Sequence, residues 1–70
     1  MLNTENLLAR EKTAQVLRGL RGSRSREEVA LAVGISVVSL EMYESAKRVP
    51  RNEVKAAIAR YYKVEQTYIF

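Results

Sequence analysis

The apolar positions of the N-terminal part of the chain recur at the spacing of a helix face. Val16, Leu17 and Leu20 lie at i, i+1 and i+4, and Leu7 and Leu8 precede them. The pattern predicts a first helix that begins near Asn3 or Thr4, both suitable as N-caps, and ends near residue 20. We expect this apolar stripe to face the core.

The polar sequence SREE, residues 25–28, predicts the start of a second helix. It reads as a capping box, in which the Ser25 hydroxyl accepts from the Glu28 amide and the Glu28 side chain bonds back to the Ser25 amide. The apolar side chains that this helix is expected to bury are Val29, Ala30 and Val33.

Residues 30–40 form an uncharged run of eleven residues that is interrupted by glycine and serine. Gly34 can take the left-handed conformation that ends a helix, and Ser36 can cap the next one. A small Ala30 lets the two helices cross closely, Ile35 fills the gap between them and Leu40 anchors the following helix. The run therefore predicts two short helices that meet at a tight turn.

The C-terminal half continues the helical pattern. The third helix is expected from about Val37 to Ser45, followed by the loop AKRVPR at residues 46–51 and by Asn52 as the cap of a fourth helix. The inward stripe of that fourth helix comprises Val54, Ala57, Ile58 and Tyr61. The terminal sequence QTYIF predicts one last short turn of helix, and no strand pattern competes. The predicted fold class is all-α, with five helices.

Charge and composition narrow the function. Twelve Lys and Arg against eight Glu give a net charge of +4, and the cations cluster at residues 18–26 and 47–55. Such clusters suit a polyanion, although a solvated basic face is the alternative. The chain has no Cys, His or Asp, so we expect no enzyme activity, no metal and no cofactor. It carries no signal peptide or membrane-spanning run, which favours the cytoplasm.

Ten residues occur at the spacing of a known motif: Ala30, Gly34, Ile35, Ser36, Leu40, Tyr43, Glu44, Lys47, Arg48 and Pro50. On these residues the sequence resembles the Cro/lambda-repressor-type, or XRE-like, helix-turn-helix family. The resemblance covers residues 14–70, leaves residues 1–13 as an N-terminal helix extension, and implies a single domain over 1–70. Two positions depart from the family pattern, since Arg26 stands where Gln is usual and Ala46 where Gly is usual.

The resemblance implies a compact five-helix lambda-repressor-like domain and a phage- or prophage-type repressor. Helices 2 and 3 would form the helix-turn-helix, with helix 2 across the DNA backbone and helix 3 in the major groove. The side chains expected to read bases are Val37, Val38, Glu41 and Met42. Those expected to contact phosphates are Arg26, Ser36, Ser45, Lys47, Arg48 and Arg51.

Several alternatives stay open at the level of sequence. The apolar face of helix 3 could bind another regulator protein instead of DNA. A homodimer on a two-fold operator is expected, and Tyr68, Ile69 and Phe70 could form its interface or only cap the core. Three further expectations concern single side chains. Glu44 should pair with Arg18 or Arg21, Tyr43 should be core, and one of Tyr61 and Tyr62 should be exposed. The chain could be a small complete regulator or the excised domain of a longer one.

Overall fold

Five α-helices make up the computed structural model, which describes the backbone of residues 4–70 and the side chains from residue 8 onward. The helices are α1 (Thr4–Arg21), α2 (Arg26–Val33), α3 (Val37–Glu44), α4 (Asn52–Tyr62) and α5 (Gln66–Ile69). No strand occurs among residues 4–70, and the predicted all-α class with five helices is confirmed. Asn3 and the side chain of Leu7, both named in the prediction for the first helix, lie outside the described residues.

The predicted caps of α2 and α3 are present. Ser25 Oγ accepts from the Glu28 amide at 3.0 Å, and Ser36 Oγ accepts from the Ser39 amide at the same distance. Gly34 adopts φ 88°, ψ 33°, and its amide donates to the Ala30 carbonyl at 2.8 Å. The left-handed residue turns the chain out of α2 without a Cβ clash. Within the described residues, the return bond from the Glu28 side chain is not made, so only half of the capping box forms.

The start of α4 differs from the prediction. Asn52 is the first helical residue and not the cap, which is Arg51 in an extended conformation without a side-chain cap bond. The reason lies in the backbone, because the Arg51 carbonyl accepts from the Lys55 amide at 2.9 Å and closes the first turn. A residue whose carbonyl accepts the first helical bond while its own backbone is extended is by definition the N-cap.

Two apolar clusters form the core, and α1 contributes to the larger one. Leu17 is buried in a cluster with Tyr43, Ile58 and Ala59, and the partly buried Val16 and Leu20 pack against it. The second cluster comprises Val29, Ala30 and Leu40. Ile35, in the turn between α2 and α3, packs against both clusters.

The predicted inward stripe of α1 is wrong at Leu8, whose side chain is 60% exposed. Leu8 lies nine positions before Leu17, and at 100° per residue nine positions rotate by about 180° from the buried face. The position that continues the stripe is Ala14, which is fully buried. Nearness in sequence to Val16 and Leu17 does not place Leu8 on the buried face, because helical phase decides the side.

The tyrosine pair at the end of α4 also differs from expectation, because neither ring is fully exposed. Tyr61 and Tyr62 are both half-buried and pack edge to face, with ring centroids 5.0 Å apart. The Arg24 guanidinium lies over both rings, 5.7 and 5.9 Å from their centroids. The long Arg24 side chain, which comes from the loop after α1, thus covers part of both rings and shields them from solvent.

Candidate nucleic-acid interface

The solvent face of α3 carries the residues predicted to read bases. Leu40 is buried on the opposite side of this helix, together with Tyr43 and Glu44. The Val38 side chain is 60% exposed, Glu41 is exposed, and Val37 and Met42 are half-buried. This face is therefore mostly apolar, with one carboxylate among the exposed groups.

The two serines predicted as phosphate contacts have their hydroxyl groups engaged within the protein. Ser36 Oγ caps α3 and also bonds to Ser39 Oγ at 3.0 Å. Ser45 Oγ donates to the Glu41 carbonyl at 2.8 Å. Because a serine hydroxyl has one proton, Ser45 could donate to a phosphate only by giving up its bond to Glu41.

A cleft of about 260 Å³ lies beside the N-terminus of α3. Two exposed cations from the loop after α3, Arg48 and Arg51, line it together with the hydroxyl-bearing Ser36 and Ser39. The remaining lining residues are Ile35, Tyr43, Val49 and Val54. No carboxylate is among these residues, so the electrostatics of the cleft favour an anion. Lys47, the third loop cation, is exposed but does not line the cleft.

A left-handed alanine sets where this loop leaves α3. Ala46 has φ 64°, as expected for the position where the related family prefers glycine. The next two amides, of Lys47 and Arg48, both point to the Met42 carbonyl at 2.9 and 3.4 Å. These bonds satisfy a carbonyl at the end of the helix and hold the basic loop against it.

Arg26 is less free than the prediction assumed. Its Nε lies 3.0 Å from Oε1 of Glu44, which is buried, and 40% of the Arg26 side chain is exposed. Arg21 Nε donates to both oxygens of the same carboxylate at 3.2 and 2.8 Å, and this hydrogen bond raises the pKa of Arg21 above its ordinary value. Arg18 donates to the Glu44 backbone carbonyl at 2.6 Å. The expected pairing of Glu44 with Arg21 is confirmed, and the pairing with Arg26 was not foreseen.

The C-terminal residues proposed as a dimer face are divided between core and surface. Ile69 is 4% exposed and belongs to the larger core cluster, against which Phe70 also packs. The Thr13 hydroxyl donates to the Ile69 carbonyl at 3.0 Å and ties α5 to α1. Only Tyr68, at 62% exposure, is presented to solvent. Ile69 is thus unavailable as an interface residue unless the terminus unfolds.

Comparison with protein families identifies the chain. A family model described as a helix-turn-helix domain matches residues 13–67, well over half of the sequence. The chain belongs to this helix-turn-helix family. The match agrees with the XRE-like resemblance seen in the sequence and indicates a DNA-binding regulator of a class that is typically non-enzymatic. No curated protein matches the chain.

Within the helix-turn-helix, α2 and α3 flank the turn that the sequence predicted. Ala30 and Leu40 are buried in the same apolar cluster, Gly34 is left-handed and Ile35 is half-buried between the helices. Sequence reasoning overlooked Leu31 on α2, whose side chain is 85% exposed. The sequence pattern could have predicted this exposure, because Leu31 follows the buried Ala30 and lies about 100° around the helix from it.

The described residues contain neither a candidate metal-binding cluster nor a candidate membrane-spanning helix. Among them, no three His, Cys, Asp or Glu side chains come together in a way that could hold a metal ion. None of the described helices is both long and apolar enough to cross a bilayer.

Proposed function

We propose that the chain is a sequence-specific DNA-binding transcriptional regulator of the phage- or prophage-repressor type, acting in the cytoplasm. The whole chain, residues 1–70, would act as one domain, with residues 1–13 as a helical extension of a core at residues 14–70. In this proposal α3 docks in the major groove and α2 crosses the DNA backbone. Membership of the helix-turn-helix family and the net charge of +4 support it.

The observation that carries the proposal is the basic cleft beside α3. Arg48 and Arg51 are exposed there, next to the N-terminus of the helix that would enter the groove. A DNA phosphate in this cleft would meet two guanidinium groups and the positive end of the α3 dipole. Contacts of this kind fix the register of a reading helix but carry no sequence information.

Base recognition in this proposal depends mainly on apolar contact. Val38 and Met42, with Val37 at the margin, could pack against thymine methyl groups, and Glu41 could accept from cytosine N4. A carboxylate that lacks such a donor would instead face the negative DNA surface. We therefore infer that Glu41 acts chiefly by rejecting sequences that leave it unpaired.

A homodimer on a two-fold operator belongs to the same proposal. One small helix-turn-helix domain buries little DNA surface, and pairing on two half-sites raises both affinity and specificity. Tyr68 is the exposed part of the terminus that the sequence suggested as the contact. Ile69 supports α5 from the core side in this arrangement and does not itself meet the partner.

A second candidate function is a protein-interaction module that binds another regulator. The observation in its favour is the exposure of Leu31 on α2 and of Val38 on α3, at 85% and 60%. Exposed apolar side chains on neighbouring helices can mark a protein interface. The two candidates differ in whether duplex DNA binds at all.

Binding to duplex DNA at several salt concentrations tests the proposal. A preferred sequence would be selected from random duplexes and compared with an unselected duplex. Arg48→Ala should weaken binding to both and lower the salt slope by about 1, because it removes one phosphate contact. Arg60→Ala is the matched control, since Arg60 is exposed on α4 and lies outside the α3 cleft.

Substitutions on the α3 face test base reading separately. Met42→Ala and Val38→Ala should leave the salt slope unchanged and reduce discrimination between the two duplexes by about 1 kcal/mol if they meet thymine methyls. The variants should keep their helix content by circular dichroism. If the wild-type chain binds no duplex even at low salt, and these substitutions abolish binding to a protein partner, the second candidate replaces the first.

A further inference from the structure

One buried carboxylate joins two partly exposed arginines. The Glu44 side chain is 1% exposed, and its oxygens accept from Arg21, which is 19% exposed, and from Arg26, which is 40% exposed. Two guanidinium groups against one carboxylate leave a net charge of +1. Because Arg26 is the more exposed of the two, this excess positive charge is presented to solvent mainly there.

The Arg26 guanidinium is held from one side only. Its Nε–H bonds to Glu44 Oε1 at 3.0 Å, and among the described residues no protein group accepts from its two Nη atoms. A guanidinium carries five N–H donors in a rigid plane, so four remain for another acceptor. The Nε edge of the guanidinium is therefore fixed by Glu44, whereas the two Nη groups can donate to a ligand.

The Glu44 carboxylate compensates for an unfavourable position of Arg26. Arg26 is the first residue of α2, where the helix dipole disfavours a cation. Glu44, the last residue of α3, offsets this repulsion. A free arginine side chain would also lose its rotamer freedom on binding a ligand, and this cost is smaller when the side chain is already held in one orientation.

We propose that Glu44 is a positioning residue for DNA binding, which holds Arg26 so that its Nη groups meet a backbone phosphate. The inference rests on the proposed function and goes beyond it, because Glu44 is buried and could affect DNA binding only through Arg26. It also accounts for an arginine at the position where the related family usually has glutamine. The buried carboxylate that anchors α1 to α3 thereby also orders a contact made by α2.

A double-mutant cycle on binding to random-sequence duplex DNA tests the proposal. Glu44→Gln keeps the shape of the side chain and removes its charge, and Arg26→Ala removes the contact. We expect Arg26→Ala to weaken binding clearly in the wild-type background and about five-fold less in the Glu44→Gln background, a coupling within the range of residues in direct contact. Arg48→Ala is the control and should weaken binding equally in both backgrounds.

The sign of the coupling separates positioning from simple neutralisation. If Glu44 only cancelled part of the Arg26 charge, Glu44→Gln would release that charge and Arg26→Ala would then weaken binding more than in the wild type. That result, or purely additive effects, overturns the proposal. Binding is compared at a temperature where circular dichroism shows each variant folded.

A second variant keeps the proposal testable if Glu44→Gln does not fold. Arg26→Lys preserves the charge but loses the planar fork that serves a carboxylate and a phosphate at once. We expect it to bind DNA several-fold more weakly than the wild type, since the remaining ammonium still attracts a phosphate but is a point charge without fixed geometry. Wild-type affinity in Arg26→Lys refutes the positioning role. A wild-type chain that binds no DNA overturns the proposed function as well, whereas DNA binding with additive variants overturns this inference alone.

Discussion

Arg21 Nε lies 2.8 Å from one oxygen of Glu44 and 3.2 Å from the other, and so joins α1 to the end of α3. The carboxylate is buried, and a buried charge that loses its partner is strongly destabilising. The Arg21–Glu44 pair therefore fixes the end of α3 to α1. The same carboxylate also accepts from Arg26.

The first prediction concerns the stability that this ion pair provides. Arg21→Met should lower the free energy of unfolding by about 1–3 kcal/mol, less than the loss of a sole partner would cost a buried charge, because Arg26 still pairs with Glu44. Urea unfolding followed by circular dichroism measures it through the midpoint at constant slope. Arg60→Met, an exposed arginine on α4, should change stability by less than about 0.5 kcal/mol. Equal effects of the two substitutions would show that the pair adds nothing to stability.

The second prediction concerns the strained end of α3. Ala46 has φ 64°, a conformation that costs a residue with a Cβ about 1–2 kcal/mol. Ala46→Gly should raise stability by about 0.5–1 kcal/mol, the strain relieved minus the greater freedom of glycine in the unfolded chain. Ala32→Gly, at an exposed position inside α2, should instead lower stability by about 1 kcal/mol. Thermal unfolding of both variants gives the comparison, and a loss of stability in Ala46→Gly would contradict the strain.

The third prediction separates core from surface at the C-terminal end. Ile69 is buried, whereas Tyr68 beside it is exposed. Ile69→Ala should destabilise the chain by about 2–5 kcal/mol through the cavity it leaves. Tyr68→Ala should change stability by less than about 0.5 kcal/mol and, if Tyr68 forms the dimer face, shift sedimentation equilibrium toward the monomer. Unchanged association in a folded Tyr68→Ala would place the dimer contact elsewhere.

The fourth prediction concerns stability at alkaline pH. Burial, together with the charge of Glu44, raises the pKa of Tyr62 from 10.0 to about 12, and the Tyr62 hydroxyl is buried without a hydrogen-bond partner among the described residues. Between pH 10 and pH 12 the unfolded chain releases this proton while the folded chain retains it, so the unfolded state binds fewer protons. The contribution of Tyr62 to the free energy of unfolding is therefore fully present below pH 10 and decreases as the pH rises toward 12.

Replacing the hydroxyl tests this assignment. Tyr62→Phe should flatten the loss of stability above pH 10 without lowering stability at pH 7, since it removes a polar group that is not hydrogen-bonded. Tyr68→Phe, at an exposed tyrosine, should leave the pH profile as it is in the wild type. Unfolding midpoints in urea across pH 8–11 provide the measurement, and identical profiles for the two variants would rule out Tyr62 as the cause.

The helices, two of their caps and the central turn could be predicted from the sequence. Ser25 and Ser36 cap α2 and α3, and Gly34 ends α2 in the left-handed conformation. Each of these features depends on bonds within about four residues and on the allowed φ of one residue. Because these determinants are local, the order of the residues is enough to predict them without knowledge of the packing.

Only the tertiary structure decided which side chains meet across helices. Arg26 reaches Glu44, eighteen positions away, because the tertiary packing brings the start of α2 beside the end of α3. Ile69 is buried and not presented to a partner because the Thr13 hydroxyl and the α1 surface hold α5 against the core. No periodicity within one helix specifies its crossing with another, since side chains on a helix interact along it only at three and four positions. The sequence by itself therefore determined the elements and the helix-turn-helix, whereas packing between elements decided which arginines are held and which face solvent.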